Sequence, residues 1–210
     1  MTSQTHDVAY TATFLDETRR IADALNVNDI NAVLAVLVRV KASGGRLFFA
    51  GSGGGAGHAS HATADFRKIA GIESYSVTDN VSELTARIND DSWETSYSAW
   101  LTVSRIGPGD ALFVFSVGGG DASRGISVNL VSAINCALAH GASVVGVAGR
   151  DGGYLRQVAT ASVIIPPHDP AHITQQTEGF QALVWHLLVG HPALQGATPK
   201  WEAVTGELAT

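Results

Sequence analysis

Leu47-Phe48-Phe49-Ala50-Gly51-Ser52-Gly53-Gly54-Gly55-Ala56-Gly57-His58-Ala59-Ser60-His61-Ala62-Thr63-Ala64-Asp65-Phe66 passes from a short apolar run through a glycine cluster into a segment with helical spacing. A strand that enters a glycine-rich turn and then a helix N-terminus makes a ready anion site. Free backbone N–H groups point outward there, and the helix dipole adds positive potential. Glycine lets the main chain approach a phosphate closely and supplies positive φ where the turn needs it. His61 and Asp65 stand four residues apart, one turn into the predicted helix and on one face of it. The stretch therefore joins a candidate anion cradle to acid–base or metal-ligating groups. It is not a Walker A loop, because no Gly-Lys-Ser/Thr follows. Nor is it a convincing dinucleotide fingerprint, since Thr78-Asp79 after the next apolar run is a poor ribose reader. A plain solvated helix face also carries His/Asp pairs at this spacing, so the pair needs partners from elsewhere in the chain.

Outward from this stretch, helical and strand patterns alternate. Before it, residues 8–25 read as a helix with apolar Phe14, Ile21 and Leu25. Residues 29–41 read as a second helix, capped by Asp29, with Ile30, Val33, Leu34, Leu37 and Val38 on one face. Two helices ahead of the first strand suggest an oligomerisation arm. After it, strands are expected at 46–50, 74–77, 111–117, 143–148 and 162–165. Helices are expected at 58–69, 81–88, 92–104, 127–140, 152–159 and 174–189, with Asn89-Asp90-Asp91 as punctuation. Near-continuous apolar strands separated by helices predict a parallel sheet covered on both faces. Ligands of such sheets bind beyond the carboxyl ends of the strands, at a switch point in strand order.

Two further segments bear on that edge. Ser116-Val117-Gly118-Gly119-Gly120-Asp121-Ala122-Ser123-Arg124-Gly125-Ile126-Ser127 is a second candidate cradle, with Ser127 placed to cap the following helix. Arg124 is suited to meeting a phosphate, or simply to being solvated. On the last helix, Glu178 and His186 are eight residues apart, just over two turns, and share a face. Two histidines and two carboxylates on two helices have the composition of a tetrahedral zinc site, although such histidines are more often satisfied core residues.

Composition bounds the alternatives. The 210 residues suit one domain with appended helices, and 45% apolar with 15% charged residues suits a compact core. A net charge of −6 argues against a nucleic-acid partner, which would call for a basic face. No apolar run reaches membrane-spanning length, and residues 1–7 lack a signal pattern. Cys136 is the only cysteine; it reads as a buried thiol and excludes an intrachain disulfide, which fits a reducing cytosol.

The motifs taken in order resemble the sugar isomerase (SIS) domain, and within it the sedoheptulose 7-phosphate (phosphoheptose) isomerases. They are the 51–55 loop with His61 and Asp65; Thr78-Asp79-Asn80-Val81-Ser82-Glu83-Leu84-Thr85-Ala86; Asn89-Asp90; Gly107-Pro108-Gly109-Asp110; the 116–127 loop; Gly149-Arg150-Asp151-Gly152-Gly153; and the Glu178…His186 helix. The resemblance implies a flavodoxin-like αβα sandwich around a five-stranded parallel sheet with N-terminal helices. It makes 1–210 a single SIS domain: a helical arm at about 1–43, an α/β core at 44–191 and a tail at 192–210. It implies a cytoplasmic homotetramer that interconverts sedoheptulose 7-phosphate and a heptose 7-phosphate. Zinc would be held by His61, Asp65, Glu178 and His186, with Asp65 and His186 as the acid–base pair. Substrate and phosphate would meet Ser52, Gly53, Gly54, Gly55, Asp90, Ser116, Gly118, Gly119 and Ser127. Against the usual family pattern, Asp65 stands for Glu, Glu178 for Gln, Ser52 for Asn and Gly55 for Ser, and Val117 and Gly118 stand where hydroxyls are common. Two alternatives stay open: an isomerase of another sugar phosphate, and a non-catalytic sugar-phosphate-binding SIS protein. The retained His61, Asp65 and His186 speak against the second.

Overall fold

The computed structural model describes residues 8–197 and residue 200; the expectations for residues 1–7 and for most of the tail beyond 197 lie outside the described residues. Five strands, β1 (Leu47–Gly51), β2 (Ser74–Ser76), β3 (Ala111–Ser116), β4 (Ser143–Ala148) and β5 (Ala161–Ile164), form one sheet in the order β2-β1-β3-β4-β5. Every pairing is parallel, with Phe49 opposite Phe113 and Phe113 opposite Val145 in the centre. This is the flavodoxin-like order, and its switch point lies between β1 and β3. The strands read as apolar runs because both faces are covered.

Side-chain alternation along each strand splits the core in two. Phe49, Phe113, Phe115, Val145, Val147 and Val163 face one layer of helices: α1 (Val8–Ala24), α2 (Val27–Ser43), α3 (Gly54–Lys68) and α8 (Ile173–Val189). Phe48, Leu112, Val114, Val144 and Ala148 face the other layer, to which α5 (Ser96–Val103), α6 (Val128–Ala139) and α7 (Gly153–Val158) contribute Tyr97, Leu101, Leu130, Ile134 and Leu155. The short α4 (Val81–Asp90) has no buried residue and packs beside α5.

Several local expectations are corrected by the structure. Asn26, not Asp29, caps α2: its side chain accepts from the Asn28 N–H, and Asp29 falls in the first helical turn. The α2 helix is also no free arm. Ile30, Val33, Leu34, Val36, Leu37 and Val40 are buried against the sheet and α8, so it is a covering layer of the sandwich. Of the two N-terminal helices, α1 is the more exposed, with Glu17 and Ile21 as its buried residues. Glu17 secures it, accepting from the Asp169 N–H at 2.9 Å and pairing with His172 Nδ1 at 2.8 Å. Asn89 and Asp90 lie within α4 rather than breaking it, and α5 begins at Ser96 rather than near Ser92. Cys136 is half-buried, 3.5 Å from Thr102 Oγ1, because it lies on the flank of α6 rather than its core face. Among the described residues no single helix is long and apolar enough to cross a membrane.

The correction with most consequence is at α3. It starts at Gly54, four residues before the expected start, because Gly53 makes the turn with φ +58 and the glycines then join the helix. Helix propensity argues against glycine there, but close approach requires it. A Cβ on Gly55 would lie 2.7 Å from the Phe115 carbonyl oxygen, so this end of α3 sits directly on β3. His61 and Asp65 are consequently about 10 and 16 Å along the axis from the helix start, at 1.5 Å per residue.

Candidate active site

Beyond the carboxyl ends of β1, β3 and β4 lies a cleft of about 800 Å³. Ser52 forms one wall; Ser116, Val117, Gly118 and the 120–127 segment form the second; Arg150, Asp151 and Tyr154 form the third. The second and third walls are one unit, since Tyr154 N–H and Leu155 N–H donate to the carbonyls of Gly120 and Gly119, each at 2.9 Å. Within the second wall, Ser116 Oγ accepts from Gly119 N–H at 3.0 Å and closes the turn. Asp121 accepts from Ser123 and Arg124, which together push its carboxyl down to about 2. Ser127 takes the capping position of α6 in the left-handed region, φ +51, with no side-chain cap bond, so its hydroxyl is left to the cleft.

Ser52, Ser116, Gly118 and Ser127 thus come together. Asp90 does not join them: it ends α4 and accepts from Asn89 Nδ2 at 2.8 Å. Gly53, Gly54, Gly55 and Gly119 shape the surroundings without lining the cleft. Gly54 has a further neighbour, because a Cβ there would fall 2.5 Å from the Glu178 carboxylate. The N-terminus of α3 is therefore already faced by an anion, in the place the dipole favours.

Farther along α3, a second cluster forms against α8. His61 Nε2 lies 3.8 Å, and His186 Nε2 3.9 Å, from Asp65 Oδ2, and one donor atom from each residue falls within 4.8 Å of the others. His186 Nδ1 is 2.7 Å from the Ala182 carbonyl. A carbonyl only accepts, so Nδ1 carries a proton and Nε2 is the ring nitrogen that faces Asp65. Trp185, fully buried, stacks on His186 at 3.5 Å between ring centroids and meets His61 edge-on at 4.7 Å. The sequence analysis assigns Trp185 no role at the site; its contact with both imidazoles appears only once α3 and α8 are packed together.

Whether zinc suits this cluster can be tested on the donors. Tetrahedral ligands at ordinary zinc bond lengths stand roughly 3.3–3.6 Å apart. The separations of 3.8 and 3.9 Å from Asp65 lie a few tenths of an ångström outside that range and the donors together span up to 4.8 Å, a gap that rotation of the two exposed imidazoles can close. Two imidazoles and one carboxylate, with a position left open, is also a donor set of catalytic zinc. The cluster fits. Glu178 is not among its members, lying toward Gly54 at the head of α3 instead. Between Gly54 and His61, His58 is turned inward: burial pushes its imidazolium down, against the pull of Glu178, and Nε2 has no partner among the described residues.

The chain is 31% identical over 195 residues to a phosphoheptose isomerase from Paramagnetospirillum magneticum, covering 86% of this chain and 92% of that protein. It belongs to the phosphoheptose isomerase family. A phosphoheptose isomerase from Rhodospirillum rubrum is 32% identical over 153 residues, covering 70% and 76% of the two chains. The lincomycin biosynthesis protein LmbN of Streptomyces lincolnensis is 29% identical over 198 residues, covering 90% and 70%. Among solved structures, phosphoheptose isomerase GmhA from Neisseria gonorrhoeae superposes with a TM-score of 0.74 at 22% identity, covering 86% of this chain and 96% of that one. No family model matches the chain. The family is one of SIS-type sugar-phosphate isomerases, in agreement with the resemblance of the sequence motifs.

Proposed function

We propose that the chain is an aldose–ketose isomerase that converts sedoheptulose 7-phosphate to D-glycero-D-manno-heptose 7-phosphate, as a cytoplasmic homotetramer serving heptose biosynthesis. The observation that carries the reading is the cluster that His186 of α8 makes with His61 and Asp65 of α3, the helix whose first turn adjoins the cleft. A 7-phosphate that isomerises at C1 and C2 needs its anion site and its acid–base groups well separated, and α3 separates them along its length. The phosphate is assigned to the second loop, with Ser116, Gly118 and Ser127, and to Ser52 across the cleft. The head of α3 is less suited, because Glu178 would repel a second anion there.

The reaction moves one proton between C1 and C2 through an enediol. A base removes the proton from C1 or C2 and returns it to the other, while a proton passes between the two oxygens. Asp65 and His186 are the acid–base pair of this proposal. His186 is suited to accept at Nε2, because Ala182 fixes its proton on Nδ1. Zinc held by His61, Asp65 and His186, with Glu178 as a further candidate ligand, would supply Lewis-acid polarisation of the substrate carbonyl. A side chain that ligates zinc is not at that moment a free base, so one of the pair must be released, or a water must carry the proton.

A second reading, an isomerase of a different sugar phosphate, is favoured by one feature. Val117 and Gly118 line the cleft where the usual pattern has hydroxyls, which removes donors from the phosphate loop. A non-catalytic binding role is the third; the SIS fold also occurs in the Vibrio vulnificus NanR protein complexed with ManNAc-6P, at a TM-score of 0.60. The test is NMR of sedoheptulose 7-phosphate incubated with metal-analysed protein, before and after chelation and zinc restoration. Conversion that stops with chelation and returns with zinc supports both isomerase and metal. Conversion indifferent to chelation removes the zinc role. Absence of conversion by zinc-replete protein, with turnover of another sugar phosphate, moves the assignment to the second reading.

A further inference from the structure

Beneath the Ser52 wall of the cleft lies a polar group that nothing in the mechanism uses. Asn129, in the first turn of α6, is fully buried. Its Nδ2 donates to Ser52 Oγ at 3.1 Å, across the switch point between β1 and β3, and its Oδ1 is buried with no partner among the described residues. Tyr97, also buried, donates its hydroxyl to the Gly51 carbonyl at 2.8 Å. Burial pushes the Tyr97 phenol up, and its hydroxyl oxygen faces Ser52 and Asn129.

We infer that Asn129 is a positioning residue that sets the polarity of Ser52, making it a hydrogen-bond donor to the anionic oxygens of the substrate. A hydroxyl has one hydrogen and two lone pairs. The Asn129 amide occupies a lone pair, and an amide N–H cannot accept the Ser52 hydrogen. That hydrogen has two directions left: inward to the Tyr97 oxygen, or outward into the cleft. An anion in the cleft is the stronger acceptor and draws it outward. Tyr97 keeps its own proton for the Gly51 carbonyl and so stays a weak competitor. This inference rests on the placement of an anion beside Ser52 under the proposed function; the sugar's identity does not enter it.

The test measures binding of inorganic phosphate by calorimetry to the full chain and to four variants: Asn129→Asp, Asn129→Ala, Ser52→Ala and Ser52→Ala/Asn129→Asp. A carboxylate at 129 is isosteric but takes the Ser52 hydrogen for itself. Asn129→Asp and Ser52→Ala are each expected to weaken phosphate about tenfold or more, the effect of one hydrogen bond to a charged group. In the Ser52→Ala background Asn129→Asp should add little, because its effect runs through Ser52. Asn129→Ala, which adds no charge, should weaken phosphate by a smaller factor and serves if the buried carboxylate prevents folding. The inference is overturned if Asn129→Asp weakens phosphate equally with and without Ser52, which would mean direct charge repulsion. It is also overturned if phosphate binding ignores both residues, or if the wild type binds none. Phosphate binding lost in the variants by a wild type that turns over no sugar phosphate would keep this inference and reject the isomerase instead.

Discussion

Replacing Asp65 by Asn removes one charge and almost nothing else. Its Oδ2 lies 3.8 Å from His61 Nε2 and 3.9 Å from His186 Nε2, and no other side chain among the described residues bonds it. Its backbone carbonyl accepts from Ile69 N–H as any helical residue would. Two unit charges 4 Å apart interact by about 1 kcal/mol in water and about 4 kcal/mol at the effective dielectric near a protein surface. A divalent cation among these donors doubles either figure. The side chains of His61 and His186 are 60% and 51% exposed, so the water end of the range dominates. The expected loss is about 2–4 kcal/mol, or roughly 30- to 700-fold in zinc affinity. The assay is competition of metal-free protein against a chromophoric chelator, beside thermal melts of the metal-free proteins. The melts should agree within about 2 °C, since no packing is removed. Turnover should be lost along with affinity. Zinc affinity unchanged within experimental error, with turnover abolished, would falsify the ligand role and leave Asp65 an acid–base group alone. If neither quantity moves, the cluster is an ordinary helix face.

Three more perturbations probe the scaffold and loops. Asp110 is buried and accepts from Arg46 N–H at 2.8 Å, Arg46 Nη2 at 2.7 Å and Gly107 N–H at 3.0 Å, so Asp110→Ala removes the guanidinium's only carboxylate partner among the described residues, leaving it the Ser104 and Arg105 carbonyls, and deprives two backbone N–H groups of their acceptor. The expected cost is about 3 kcal/mol, or a Tm lower by roughly 6–12 °C, and a melt shifted by less than about 2 °C would sink the argument. Burial lowers the His58 pKa, so below about 6.5 the unfolded chain takes up a proton that the folded chain resists. Stability is therefore complete above that pH and falls as pH drops; His58→Gln should flatten the slope between about pH 6.5 and 5 in urea titrations, and an unaltered slope refutes the cause. Finally, the Asp121 carboxyl, held down to about 2 by Ser123 and Arg124, should keep its loop clasped as pH falls past the usual aspartate range and release it only near that value. A carboxyl NMR midpoint near 3.9 would show the clasp absent in solution.

The sheet was legible because burial on both faces writes itself into composition. Leu47, Phe48 and Phe49, Leu112, Phe113 and Val114, and Val144, Val145 and Val147 are fully buried, and only continuous apolar runs meet that demand. Boundaries were less legible where two principles compete. Gly54 and Gly55 read as loop by propensity, yet they are helical, since α3 must press against Phe115 and leave room for the Glu178 carboxylate. Asp29 reads as the cap of α2, three residues too late. The chain turns at Asn26, whose φ of −81 and ψ of 104 suit the capping position, and tertiary packing of α2 on the sheet decides between them.

In the site, spacing identified what lies on one helix and failed for what lies between helices. The i, i+4 pair His61 and Asp65 was readable, and so was the face shared by Glu178 and His186. The relation of the two faces was not. Glu178 lies against Gly54 at the start of α3 while His186 lies against His61 and Asp65 farther along, so the two helices run in the same direction and their shared faces meet at two separate levels. One level holds a carboxylate at a helix N-terminus, the other two imidazoles and a carboxylate. A substitution from a neutral amide to Glu178 therefore changes the first level most directly. It places negative charge where the dipole of α3 would otherwise draw an anion, and it leaves the serine-lined cleft as the better anion site. Of the donors that cleft retains, Ser52 and Ser116 are held by their neighbours while Ser127 is left to the cleft, and Asn129 governs the one farthest from the loop.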